Sequence, residues 1–406
     1  EAEVVHGHTP MPEAEWLNNT LCIDTGCCFG NKLTALRWPE REIVSVPARR
    51  EYVEPMKRLE NNARTAQQDH DRLLFFDDFA TKQRIAHRFG GTILIPEENA
   101  LAALEVMSRF AVDPRWLIYL PPTMAACPTS PEGPFLEHPR EAIEYYRARG
   151  VAELVAEEKH MGSRALIVVA RDADATARRF GVEDGKAGIV YTRTGRPFFA
   201  DEFPEAAVVA RIGEAVTRAG LWSELSTDWL LLDAEIMPWS AKAQELLRRQ
   251  YRPTVDAARA SSVLLRDALA KAPAAVELDD LRAKAAHRAE AAARMGETID
   301  GYCWDAASIE DYRIAPFHVL AAEGQVFDNE THAWHMEHAA RLAEEEPILM
   351  ATGWRRFSPA VERDVEAIAE WWLRHTDAGG EGFVFKPIDF VTRGAKGLIQ
   401  PAMKVR

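Results

Sequence analysis

The sequence predicts an α+β protein: an antiparallel-sheet core, interrupted by a helical insertion and preceded by an N-terminal extension. Three observations predict it. Residues 151–240, and later 312–317 and 381–386, carry strand character. The run 188–193 breaks at Thr194-Gly195 and resumes at Pro197-Phe198-Phe199, a hairpin signal. Residues 241–300 are rich in Ala, Arg and Leu and read as almost continuous helix.

The elements follow in chain order. Residues 1–47 read as short strands and turns: Val4-Val5, then Thr20-Leu21-Cys22-Ile23, then a turn over 26–30. Residues 48–150 mix helix and strand as a linker and N-terminal module. Within them 101–107 has helical periodicity, 116–120 reads as a strand and 141–149 as a short helix. The segment 121–139 reads as a loop, since Pro121, Pro122, Pro128, Pro131, Pro134 and Pro139 punctuate it. The core spans 151–406. Its strand 229–236 is apolar and carries two carboxylates, Asp233 and Glu235, at its end. Pro253 and Pro273 are expected to break the helical insertion at 241–300. That segment holds eleven Lys and Arg against nine Asp and Glu, so it is near neutral.

Composition bounds the partners. The 406 residues are 47% hydrophobic and 28% charged, as in a globular protein. No run approaches a membrane span, the N-terminus lacks a signal-peptide pattern, and five cysteines make no CxxC pair. These features predict a reducing cytoplasm and no membrane. A net charge of -14 argues against a general nucleic-acid coat but leaves room for a local basic groove. Residues 391–406 carry Arg393, Lys396, Lys404 and Arg406 and no acid.

The chemistry centres on Glu157-Glu158-Lys159-His160-Met161-Gly162-Ser163-Arg164, between two β-prone segments. A lysine there suits covalent attack on a nucleotide phosphate. The glycine would let backbone approach the nucleotide, and the arginine would hold ribose or phosphate. Alone, so short a pattern is more often a solvated lysine at a strand end. Glu235 and Glu381 are carboxylates at strand ends, which could bind ribose hydroxyls or a metal, or simply sit in turns. Strand alternation would put Glu381, Phe383 and Phe385 on one face, and Lys404 and Arg406 on another. Two cations on one face can neutralise a phosphate, or form a basic tail. All of these features together, in this order, are much harder to dismiss.

The ordered set Lys159–Arg164, Arg193, Glu235, Phe317, Glu381–Lys386 and Lys404–Arg406 resembles the motifs of the covalent nucleotidyltransferase superfamily. Its wording is most similar to the ligase domain of bacterial polynucleotide kinase-phosphatase, an RNA repair family. The resemblance implies ATP as cofactor with Mg²⁺ or Mn²⁺, and Lys159 as the adenylylated nucleophile. It implies nucleotide contacts from Glu158, Arg164, Arg193, Glu235, Phe317, Lys386, Lys404 and Arg406, with Glu381 serving the metal. Phe317 would stack on adenine. Substrates would be RNA 5′-phosphate and 3′-hydroxyl ends, and a 3′-terminal RNA ribose methyltransferase would be a partner. Residues 1–47 resemble the C-terminal end of a metallophosphoesterase, with His8 and Asp24 as metal-site residues. Kinase and phosphatase domains of a longer polypeptide are thereby implied. The rivals are a capping-type guanylyltransferase, a metallophosphoesterase fragment and a non-catalytic scaffold.

Two signals stand apart. His332, His335 and His338 suggest a metal only weakly, since three-residue spacing drifts around a helix. Trp354, Phe357, Trp371 and Trp372 are more often core than a base-stacking platform.

Overall fold

The computed structural model describes residues 3–17, 20–53, 73–87, 89, 91–119, 121–131, 133–239, 244–272, 278–395 and 397–406. Leu120, Pro273 and Lys396, named above, lie outside the described residues.

The N-terminal part is a set of small sheets. β1 (Val4–His6) pairs with β3 (Thr20–Cys22), which also pairs with β2 (Trp16–Leu17). The turn at 26–30 is a short 3₁₀ helix flanked by Gly26 and Gly30, both left-handed. Two hairpins follow: β4 (Lys32–Arg37) with β5 (Glu42–Pro47), and β6 (Gln83–Ala86) with β7 (Thr92–Ile95). The helix expected near 101–107 runs over Glu97–Phe110. The strand expected at 116–120 does not form where the chain is described. Pro114 starts a 3₁₀ turn there, capped by the Asp113 carboxylate accepting from the Arg115 N–H, and Trp116 is 1% exposed. Burial rather than pairing explains that apolar run.

The core is two five-stranded sheets. β8 (Ala125–Ala126) emerges from the proline-rich loop, and β9 (Leu154–Glu158) follows the helix Pro139–Arg147. β10 (Ser163–Ala170), β11 (Gly188–Thr192) and β12 (Trp229–Met237) precede the insertion; β13 (Arg313–Ala322) and β14 (Gln325–Val326) follow it. β15 (Trp354–Phe357), β16 (Phe383–Pro387), the small pair β17 (Arg393–Gly394) and β18 (Gly397–Leu398), and β19 (Met403–Val405) complete the set. One sheet has the order β11-β10-β12-β13-β14, the other β15-β9-β16-β19-β8. All their pairings are antiparallel except β19 with β8. The expected α+β class is therefore the observed one.

Burial explains the apolar runs. In the first sheet Ile167, Leu230 and Leu232 face one core, which also takes Val208 and Ile212 of the helix Glu202–Arg218. Leu166, Val168 and Leu231 face another core on the opposite side. Both faces of these strands are covered, so the sequence is continuously apolar rather than alternating. In the second sheet one face packs Phe383 and Phe385 against helices Pro139–Arg147 and Glu362–Asp377. Phe357 and Trp372 belong to that core and Trp371 packs against it, which bears out the core reading of that cluster; Trp354 is half-buried in β15. The other face of the second sheet carries Glu157, Lys386 and Lys404.

The insertion is helical, with Arg252–Ala270 and Asp279–Tyr302 packed together. Pro253 does not break it. It stands just after a π-helical stretch at Leu247–Tyr251, and the helix runs on through it as Arg252–Ala270. The insertion leaves β12 and returns to β13 where Met237 pairs with Arg313, one end of both strands. Among the described residues no helix is long and apolar enough to cross a membrane.

Candidate active site

Lys159 lies in the four-residue link, 159–162, that carries the chain from β9 in one sheet to β10 in the other. Its backbone N–H donates to the Gly382 carbonyl at 2.8 Å, and its Nζ lies 2.6 Å from Glu381 Oε2. Both side chains are about 15% exposed, so the pair is sheltered but reachable. Glu381 stands before β16 rather than in it. Gly382 between them has φ +135, a conformation L side chains rarely adopt, and the strict alternation expected from Glu381 to Phe385 is broken there. Phe383 and Phe385 enter the apolar core while Glu381 meets Lys159.

Gly162 has a packing reason. A Cβ there would stand 2.6 Å from the Ile236 carbonyl and 2.8 Å from Glu235 Cγ. The glycine expected to admit a nucleotide thus lets the link pass tightly over β12.

Along β12 one face reads Trp229, Leu231, Asp233, Glu235: apolar first, acidic where the insertion departs. Arg164 of β10 lies opposite Glu235, and His318 of β13 lies opposite Asp233. Arg164 grips the fully buried Asp233 with two bonds, Nε to Oδ1 at 2.8 Å and Nη2 to Oδ2. Such forked pairs fix geometry as well as charge. From the facing sheet, Lys386 donates to Glu157 Oε2 at 2.6 Å and reaches His318 Nε2 at 3.2 Å. The Arg164 guanidinium and the Lys386 ammonium stand 5.5 and 5.3 Å from the Phe317 ring centroid. Arg164, Phe317, His318 and Lys386 line a cleft closed by Met124, Phe390 and Pro401.

The electrostatics set this cleft apart. Burial, opposed by Lys159 and reinforced by Glu381, pushes the Glu235 carboxyl up to about 7. Burial pulls His160 down to about 4, with His375 and Lys159 adding to the effect. Burial raises the hydroxyl of Tyr302, at the end of the insertion, and the Glu381 charge adds to it.

Not every expected residue joins this group. Glu158 lies on the other face of β9, paired with His375 at 3.7 Å and backed by Gly353. Lys404 shares the Lys386 face, since it pairs with Val384. Arg406 is exposed and its N–H donates to Glu137 at 2.7 Å. Arg193 is exposed in the turn after β11, beyond the Ala165–Thr192 pair and beside the Arg164 end of β10. In the N-terminal part, Asp24 accepts from the backbone N–H groups of His8 and Gly26, each at 3.1 Å. The three histidines do not converge. His332 contacts the Pro387 carbonyl at 2.9 Å, His335 accepts from Val319 N–H at 3.3 Å, and His338 reaches Glu224 at 3.1 Å.

Glu157, Asp233 and His318 complete the network; the sequence analysis names Glu157 and Asp233 but gives none of the three a role. Their signal was available: each is an ionisable residue inside a run that otherwise reads as buried strand.

The site is a cleft between two sheets, with a lysine in the link and cations facing carboxylates. A family model described as "PNKP adenylyltransferase domain, ligase domain" matches residues 102–406, three-quarters of the chain, and the chain belongs to that family. The chain also has relatives matched over shorter stretches. It is 62% identical over 53 residues to the asymmetrical bis(5′-nucleosyl)-tetraphosphatase PrpE of Anoxybacillus flavithermus, covering 13% of this chain and 22% of that protein. It is 56% identical over 54 residues to PrpE of Bacillus subtilis, with the same two shares. The chain thus spans about a fifth of the length of the curated relatives it matches. Among solved structures it is similar to a chain of a Pnkp1/Rnl/Hen1 complex, with TM-score 0.48 and 18% identity over 71% of this chain and 75% of that one. It is also similar to the ATP-dependent DNA ligase of bacteriophage T7 in complex with ATP, with TM-score 0.35 and 13% identity over 71% and 68%.

Proposed function

We propose that this chain is the adenylyltransferase and RNA ligase part of an RNA repair enzyme, working through lysyl-AMP on Lys159. The observation that carries the reading is the Lys159–Glu381 pair at 2.6 Å, set between two sheets that supply Arg164 and Lys386. In the first step a bond forms between Lys159 Nζ and the ATP α-phosphorus as the bond to the departing pyrophosphate breaks. The amine proton leaves towards the Glu381 carboxylate. Arg164 and Lys386 hold negative phosphate oxygens in place, with Lys404 beside Lys386. Catalysis of this kind rests on positioning and neutralised charge. AMP then passes to an RNA 5′-phosphate, and a 3′-hydroxyl displaces it. Arg193, Glu235, Phe317 and Arg406 keep their proposed nucleotide contacts, whereas Glu158, on the opposite face of β9 beside His375, does not.

Mg²⁺ or Mn²⁺ suits the donors present. Such an ion takes one or two carboxylates and fills its remaining positions with phosphate oxygens and water. Glu381 and Glu235, close enough to perturb one another, would hold it and help neutralise the phosphates.

The reading extends to the rest of the chain. Residues 1–47 would be the end of a phosphatase domain, with His8 and Asp24 near its metals; the chain's short match to PrpE is in keeping with that. Kinase and further phosphatase domains would belong to the same polypeptide, and a methyltransferase acting on RNA 3′ ends would be its partner. Five free cysteines fit a cytoplasmic location.

Incubation with ATP and Mg²⁺ followed by mass spectrometry tests the reading. It predicts one added AMP on Lys159, and none in Lys159→Ala. Labelling from GTP but not ATP would replace the ligase by a guanylyltransferase.

A further inference from the structure

Among the described residues, His318 is the one polar side chain that touches charge pairs from both sheets. It is 3% exposed. Its Nδ1 lies 3.4 Å from Asp233 Oδ2, in the first sheet, and its Nε2 lies 3.2 Å from Lys386 Nζ, in the second. Asp233 already holds Arg164, and Lys386 already holds Glu157. The imidazole therefore joins two ion pairs, Arg164–Asp233 and Glu157–Lys386, across the cleft beside Phe317.

Donor and acceptor chemistry fixes the state of the ring. An ammonium only donates, and a carboxylate only accepts. The nitrogen facing Lys386 must then be the acceptor, and the nitrogen facing Asp233 must carry the hydrogen. Burial keeps the ring from charging, and the cations Lys386 and Arg164 add to that effect. A proton on Nε2 would set two donors against each other at 3.2 Å.

We propose that His318 is a positioning residue, a neutral Nδ1–H imidazole that ties the Lys386 ammonium to the Asp233–Arg164 pair and so sets the spacing of the two cations. This rests on the reading of Lys159 as the adenylylated group. Without the ring, the hydrogen bond that remains to Lys386 among those described comes from Glu157 of its own sheet. Small displacements of a charged group from its productive place cost large factors in rate. A purely structural role is the competing account, because the ring also packs against His332, His335 and Phe390, at 5.1–5.3 Å.

The test uses the full chain with ¹⁵N-labelled histidine. His318 is assigned by the signal lost in His318→Asn, and NMR at pH 7 should give a neutral ring protonated on Nδ1. A ring protonated on Nε2, or an imidazolium, would overturn the proposal. Single-turnover AMP uptake gives the second arm. His318→Leu keeps the bulk and loses both bonds, so its rate should fall about 10–100-fold while the ATP concentration dependence changes little. His318→Gln restores a donor and an acceptor and should recover much of that loss. A wild-type rate in a folded His318→Leu overturns the proposal. So do equal losses of rate and melting temperature in both variants, since packing alone would produce them. If the unaltered chain took up no AMP, the Lys159 reading would fail instead, and the NMR tautomer would still decide the bridge.

Discussion

Strands β10 and β12 and the hairpin β4–β5 are built from similar residues, yet only the first two are covered on both faces. Ile167, Val168, Leu230 and Leu231 are each 0% exposed. Leu33, Val44 and Val46 are 59%, 38% and 62% exposed. Strand propensity and burial are thus separate facts. The hairpin forms from local pairing, six residues against six, whereas the core strands need helices from distant parts of the chain. Only the second arrangement is stiff enough to hold Arg164, Asp233 and Glu235 in a fixed relation.

Truncating one residue in each kind of region puts this contrast at risk. Phe385→Ala, in the core of the second sheet, should cost about 3–5 kcal/mol in denaturant unfolding, from lost burial plus a cavity. Val46→Ala, its counterpart in the hairpin, should cost far less. A cost for Val46→Ala near that of Phe385→Ala would mean that the hairpin is covered in solution.

Glu235 tests whether the rigid core stores electrostatic cost at the site. Its folded pKa of about 7 exceeds the ordinary carboxyl value of about 4.3. The folded state therefore prefers the protonated form. That contribution to stability is full below pH ~4 and is lost as pH rises through 7. Glu235→Gln cannot ionise, so its stability should gain on the wild type across that window. The gain should reach at most about 4 kcal/mol, since each tenfold change in proton affinity is worth about 1.36 kcal/mol. Melting curves of both proteins from pH 4 to 8 measure it. A constant difference across the range would mean that Glu235 titrates as an exposed carboxyl.

The smallest effect belongs to the hairpin. Val46→Ala should change stability by less than about 0.5 kcal/mol in the same denaturant experiment, as exposed positions do.

Much of the site was legible in the sequence, and what escaped has a physical pattern. Lys159, Arg164, Glu235, Phe317, Glu381 and Lys386 were found because their order along the chain is a pattern in one dimension. Glu157, Asp233 and His318 were not, because their importance lies in partners 68 to 229 residues away. Glu158 shows the limit of adjacency: next to Lys159, it faces the opposite side of β9 by strand alternation. The strand expected at 116–120 failed for a related reason, since an apolar run reports burial, and Trp116 is buried by a 3₁₀ turn.

The α+β class and the helical insertion were readable from the chain alone, since they follow from periodicity and composition, which act locally. The ordered set of candidate site residues was readable through its resemblance to a family's motifs. Folding in three dimensions was needed to place Lys159 in the link between two sheets. The same holds for Gly162, which is required against the Ile236 carbonyl, and for the buried histidine that joins the two cations. Those facts depend on which strands become neighbours, and that is settled only when distant apolar faces are buried together.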